Sequence, residues 1–94
     1  MESIIPNDEK GVCWVCGRVC ATHKHHIFGA ANRANSERHG LFVHLCPPCH
    51  NMGDRGVHFN RELMEHLHWE GQAAFERVHG SREDFMRIFG KNYL

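Results

Sequence analysis

The chain has 94 residues, in which 11 Lys+Arg balance 11 Asp+Glu beside 10 His. That length allows one domain, near the size at which an apolar core alone supplies only about 3–5 kcal/mol. Zero formal net charge does not advertise a broad basic face for holding nucleic acid, and no apolar run approaches the roughly 18 residues of a membrane span. Nine Gly and ten His leave little material for a core, whereas five Cys and ten His offer ligands for a stabilising metal. Any affinity for nucleic acid is therefore expected to be local and metal-assisted. Residues 1–12 carry no signal-peptide-type apolar stretch, so a cytoplasmic setting is expected, where closely spaced Cys pairs suggest metal more than disulfides.

Residues 1–11 are polar, include Pro6 and read as a loose leader. Cys13-Trp14-Val15-Cys16-Gly17 reads as a zinc knuckle: two thiolates reach one ion across a tight turn, and Gly17 tolerates the positive φ such turns need. Residues 20–28 alternate in part and predict a strand ended by Gly29. Residues 30–40 are rich in small and polar side chains and read as a loop with at most one helical turn. Leu41 to Leu45 predict a second strand. Cys46-Pro47-Pro48-Cys49-His50 follows, and its prolines suit a rigid turn and a helix start near Cys49, with His50 in the first turn. Gly53 and Gly56 interrupt that helix. Asn60 is the expected N-cap of a long helix with an apolar stripe of Leu63, Met64, Leu67, Gly71, Ala74, Phe75 and Val78. Gly80 ends it. Ser81 and Asp84 then resemble a capping box for a last helix buried through Phe85, Met86, Ile88 and Phe89, with Gly90 at its C-terminal cap.

Cys13, Cys16, Cys46 and Cys49 form two Cys-x-x-Cys pairs flanking residues 17–45. Two such pairs supply the four tetrahedral ligands of a closed structural zinc site. A thioredoxin-type redox pair would need a βαβ context that the chain lacks. Cys20 either replaces one of the four or is a small buried apolar residue, and the pair spacing favours the second.

His25-His26-Ile27 after a Cys-x-x-Cys pair, and Leu45-Cys46-x-x-Cys49-His50 beyond it, resemble the HNH endonucleases over roughly residues 13–58. The tail from Gly56 to Leu94 is similar to small HNH proteins of phages and prophages. The resemblance implies an α+β fold: a small ββα-metal, treble-clef-like, zinc-stapled core, here followed by two C-terminal helices over residues 60–90. It implies metal-dependent hydrolysis of DNA phosphodiester bonds in a bacterial or phage-infected cell. His25 matches the ligand of a catalytic divalent ion (Mg, Mn, Ni or Zn), His26 the general base that activates water, and His50 the helix-borne ligand. A neutral imidazole takes the proton of an attacking water near pH 7, and a divalent ion stabilises the departing oxygen. Where the family usually has its middle Asn, this chain has Leu41, which cannot orient an imidazole; Asn32, Asn35 or a backbone carbonyl are the substitutes open to it.

Adjacent strand residues point to opposite faces, so His25 and His26 serve one phosphate only where the strand twists, ends, or is bridged by the phosphate. His23 shares a face with His25 and reads either as a residue lining the site or as an outer one. His58 is a candidate third ligand, with Asp54 as its rival. His39, His44, His66, His68 and His79 read as surface or packing residues. Arg33, Arg38 and Arg55 are candidate phosphate contacts or simply solvated charges. The expected partner is DNA, with no membrane, and a homodimer or a phage or recombination protein would supply specificity. The alternative is a non-catalytic zinc module that binds nucleic acid or protein. It explains the four Cys equally well and leaves His25, His26 and His50 without a role.

Overall fold

A computed structural model describes residues 2–50 and 60–94. The fold is α+β. Strands β1 (His23–His26) and β2 (Phe42–Leu45) form an antiparallel ribbon in which His23 pairs with Leu45, and His26 with Phe42. Between them lie a 3-10 turn (Ala30–Asn32) and α1 (Arg33–Arg38); α2 (Pro47–His50), α3 (Arg61–Val78) and α4 (Arg82–Phe89) follow.

Both strands are shorter than the sequence pattern predicts, and a helix stands where a loop was expected. α1 has one buried residue, Ser36, and so no apolar stripe to announce it. Its hydroxyl donates to the Leu41 carbonyl at 2.6 Å and accepts from the Phe28 amide at 3.1 Å. One side chain thus satisfies buried backbone on both sides of the strand connection, as a buried polar group must be satisfied. Leu41 itself is fully buried.

α2 starts at Pro47, two residues earlier than predicted, so both prolines sit in its first turn. α3 and α4 begin as the sequence predicts. Asn60 Oδ1 accepts from the Leu63 amide at 3.0 Å. Ser81 and Asp84 exchange side-chain and backbone hydrogen bonds in a full capping box, and Gly90 closes α4 in the left-handed conformation. The apolar faces are narrower than predicted: Val78 and Met86 are exposed. Gln72, absent from the predicted stripe, is fully buried; it accepts from the Tyr93 amide at 2.6 Å and donates to Asn92, pinning the C-terminal tail to α3.

The core gathers Phe28, Leu41, Val43, Leu45, Leu67, Phe75, Phe85 and Phe89 between the ribbon and the two long helices. Phe28 lies at its centre, with ring contacts to Phe85, Phe89, Tyr93 and His68 at centroid distances of 4.9–5.3 Å. α3 approaches closely enough that a Cβ at Gly71 would stand 2.9 Å from the Phe28 ring and 3.0 Å from Ile27. The sequence reading of residues 1–11 as a loose leader needs correction. Ile5 is only 4% exposed, the Ile4 amide donates to Gly40, Ser3 Oγ donates to Phe42, and the Asp8 side chain accepts from the His44 amide at 2.7 Å. Hydrogen bonds between the Ser3 and Asp8 side chains and the β2 backbone, which composition does not reveal, tie this stretch to the ribbon.

Candidate metal centres

The first centre is built by two turns. After Cys13 the chain folds back, with Gly17 donating to the Cys13 carbonyl at 2.9 Å and adopting φ 77°, the left-handed region that favours glycine. The Trp14 amide donates to the His44 carbonyl at 2.8 Å, which fastens the knuckle to β2 directly before Cys46. Cys13, Cys16, Cys46 and Cys49 are thereby gathered with sulfur atoms all within 4.8 Å of one another, and Cys16 Sγ lies 3.6 Å from Cys46 Sγ. Three of the four are buried and Cys16 is exposed. Cys20 lies outside the cluster, half-buried against the core.

Burial opposes ionisation of the Cys13 thiol, yet backbone donors from Cys16, Cys46 and Val15 bring its pKa down to about 6. Burial pushes the Cys46 and Cys49 thiols up, and for Cys49 the neighbouring thiols add to the rise. A thiol whose ionisation the backbone favours, beside three further sulfurs, is a donor set that suits zinc, and a bound cation deprotonates coordinating thiols outright. The four cysteines are therefore placed so that they could hold a metal ion, in a geometry compatible with structural zinc.

The second grouping is made of histidines. Successive strand residues alternate faces, so His23 and His25 point to the side of the ribbon covered by α2, which brings His50 to them. The His50 ring lies 5.3 Å, centroid to centroid, from both His23 and His25, edge-on to each. His23 Nδ1 and His50 Nδ1 are 3.2 Å apart. His25 is 7% exposed, whereas His23 is open to solvent. The sequence-predicted ligands His25 and His50 are thus neighbours, and His23 joins them.

His26 is not brought to this group. It faces the other side of the ribbon, where its Nε2 lies 2.8 Å from Glu37 Oε1 of α1. A carboxylate only accepts, so Nε2–H donates and the neutral ring keeps its lone pair on Nδ1. His26 first, and then Lys24 at 3.2 Å, hold the Glu37 carboxyl below the usual carboxylate range. Neither Asn32 nor Asn35 orients His26: Asn32 donates to the Phe89 carbonyl and Asn35 to that of Ile88. On the same face His44 Nδ1 lies 2.7 Å from the buried carboxylate of Asp8, in a cleft of about 450 Å3 lined also by Ser3, Lys10, Lys24 and Phe42. Sequence reasoning missed Glu37 and Asp8 because no spacing rule joins them to residues 11 and 36 positions away.

His39 and His79 pack edge-on beside Phe75, and His68 stacks on Phe28, as their packing reading expects. Arg33 and Arg38 are exposed at the two ends of α1. Arg55, His58 and Asp54 lie outside the described residues. Among those described, no helix is long and apolar enough to cross a membrane. Comparisons with protein-family models, with curated proteins and with solved structures found no match.

Proposed function

We propose that the chain is a metal-dependent nuclease of the HNH kind, a ββα-metal core stapled by zinc, acting on DNA. One observation carries the reading: α2 is held by the thiolate centre through Cys46 and Cys49, and the next residue, His50, meets His25 and His23 of β1. A structural ion that fixes a strand–turn–helix unit also fixes which imidazoles converge. Convergent imidazoles fit a divalent ion, with His25 and His50 as its ligands and His58 as a further candidate. When bound, such an ion stabilises charge on a phosphate and on the departing oxygen.

The chain's own residues supply the rest. His26 is the proposed base. Glu37 fixes its tautomer so that Nδ1 is the proton acceptor, the part that the middle Asn plays in the family this chain resembles. His26 is the last residue of β1, so this mechanism has the DNA strand lying across that end of the ribbon, reached from both faces. Arg33, Arg38 and Arg55 are the proposed phosphate contacts. DNA is the proposed substrate and partner, with a second copy of the chain or a phage or recombination protein supplying specificity in a bacterial or phage-infected cytoplasm.

The placement of His25 and His26 on opposite faces favours a second reading, a zinc module that binds nucleic acid or protein without cleaving it. Plasmid nicking by the zinc-loaded protein, with magnesium, manganese, nickel and zinc supplied in turn, separates the two. Nicking that His25→Ala weakens supports the nuclease; DNA retention without cleavage under any of these ions supports the binding module.

A further inference from the structure

Lys24 and His26 alternate with His23 and His25, so they share the opposite face of the ribbon. Across from Lys24 in the register stands His44. Its side chain is 14% exposed and lines the cleft of about 450 Å3 together with Asp8, Lys10, Thr22 and Lys24. Asp8 is the buried member, with its side chain 2% exposed. Its Oδ1 accepts from the His44 amide and its Oδ2 meets the ring Nδ1, both at 2.7 Å. The first bond alone pins the N-terminal stretch to β2. The second fixes a tautomer: a carboxylate accepts, so Nδ1 carries the proton, and Nε2 of the neutral ring holds its lone pair on the side turned away from Asp8. A hydrogen-bond acceptor is thereby set at a cleft that two ammonium groups also line. Lys24 stands at the border of that cleft, with Nζ 3.2 Å from Glu37 and 4.3 Å from the centroid of the Phe42 ring. Both members of the Lys24–Glu37 pair are 41% exposed, and an exposed pair is weak enough to yield to a phosphate.

We propose that this cleft is a subsite for one nucleotide of a nucleic-acid strand, with Lys10 and Lys24 on the flanking phosphates and Nε2 of His44 accepting a hydrogen bond from the nucleotide between them. The inference rests on the nuclease reading in taking the ligand to be nucleic acid. Lys24 lies two residues along β1 from His26, roughly 7 Å at the rise of a strand. A strand that meets His26 therefore reaches the cleft by continuing along the same face. A phosphodiester offers acceptors alone, so the group that Nε2 takes is the sugar hydroxyl of a ribonucleotide or an N–H of a base. Asp8 is a positioning residue: it touches His44 and decides which ring nitrogen meets the strand.

The test uses the full chain with zinc supplied for its cysteines and no second ion. Its affinity for short single-stranded DNA, RNA and abasic oligonucleotides is measured over a range of salt. Lys10→Ala and Lys24→Ala are each expected to lower the slope of log affinity against log salt by about 0.7, the worth of one phosphate on a single strand. Asp8→Asn keeps an oxygen for the His44 amide and turns an N–H toward Nδ1, so the ring proton moves to Nε2 and the acceptor becomes a donor. Binding is expected to weaken roughly three- to tenfold, about the worth of one hydrogen bond, with the salt slope unchanged. Removal of a negative charge would by itself tighten the hold on a polyanion, so tighter binding by Asp8→Asn overturns the proposal. Weakening confined to RNA identifies the sugar hydroxyl as the donor. Weakening on DNA and RNA, but not on the abasic strand, identifies the base. In the unsubstituted chain, the His44 Nε2 resonance is expected to move when oligonucleotide is added, and one that stays in place overturns the subsite whatever the variants do. Retention that none of the three substitutions alters overturns the subsite and leaves the nuclease reading standing. Failure of the unsubstituted chain to retain any of the strands overturns both.

Discussion

The two adjacent histidines of β1 have different surroundings, so their substitutions are expected to fail differently. His25 is buried beside His50, while His26 is held by Glu37 on the other face. His25→Ala is expected to weaken binding of the catalytic ion, and added metal to recover part of the cleavage rate. His26→Ala is expected to keep the ion and to slow cleavage by roughly a hundredfold to ten-thousandfold, the usual worth of a positioned base, without rescue by metal. Rates and ion affinities measured together on both variants decide the matter. Metal rescue of His26→Ala alone would exchange the two roles, and wild-type rates in both would end the catalytic reading. That His25 and His50 would be neighbours was expected only through the resemblance to HNH endonucleases, since no local rule joins residues that far apart in the chain. The opposite facing of His25 and His26 was legible from the twofold period of a strand. Glu37 was not, because its meeting with His26 depends on a helix that the sequence pattern conceals.

Elements were legible where their chemistry is local. The caps of α3 and α4 follow from Asn60, Ser81 and Asp84, each acting on a backbone group three residues away. α1 was hidden because distant partners hold it: Asn32 and Asn35 both donate to carbonyls at the end of α4. The packing of α3 onto the end of β1 also depends on a histidine, and this makes its strength depend on pH. His68 stacks on Phe28 at 5.3 Å and lies 4.7 Å from Tyr93. Burial lowers its pKa, against the smaller opposing effect of a hydrogen bond to the Ile27 backbone. The folded chain then binds fewer protons at His68 than the unfolded chain does. This histidine's contribution is complete above the ordinary value of about 6.5 and declines as pH falls from there toward its folded-state pKa. His68→Phe keeps a ring in the stack and removes the titration. Melting temperatures of the two proteins, compared from about pH 7.5 down to about pH 5, are expected to diverge in favour of the variant as acid is added, relative to their difference at neutral pH. Because both lose thiolate ligands to acid alike, the comparison isolates His68, and a difference that stays constant with pH would contradict the assignment.

For the molecule as a whole, the decisive quantity is how much of its stability is metal. A chain of this length has a net stability of roughly 5–14 kcal/mol at about 0.05–0.15 kcal/mol per residue. Structural zinc contributes on the order of 10 kcal/mol to small metal domains. The two are comparable, so zinc bound at the four cysteines would decide whether the ribbon and α2 hold together at all. Cys46→Ser is expected to lose both zinc and the cooperative melting transition, whereas Cys20→Ser, outside the cluster, is expected to keep both. The proposed imidazole site would stand differently. It has nitrogen rather than thiolate donors, one of them open to solvent, and on the nuclease reading it must keep a position for substrate, so it would release its ion more readily than four thiolates do. Titration with a chelator, followed at once by DNA cleavage and by far-ultraviolet circular dichroism, is therefore expected to show two steps. Activity disappears first, with the spectrum unchanged, and returns when a divalent ion is restored. The fold is lost later, when the chelator competes for the cysteine-bound zinc. Loss of both signals in a single step would mean that one ion serves the whole molecule, and that the convergence of His23, His25 and His50 is a matter of packing.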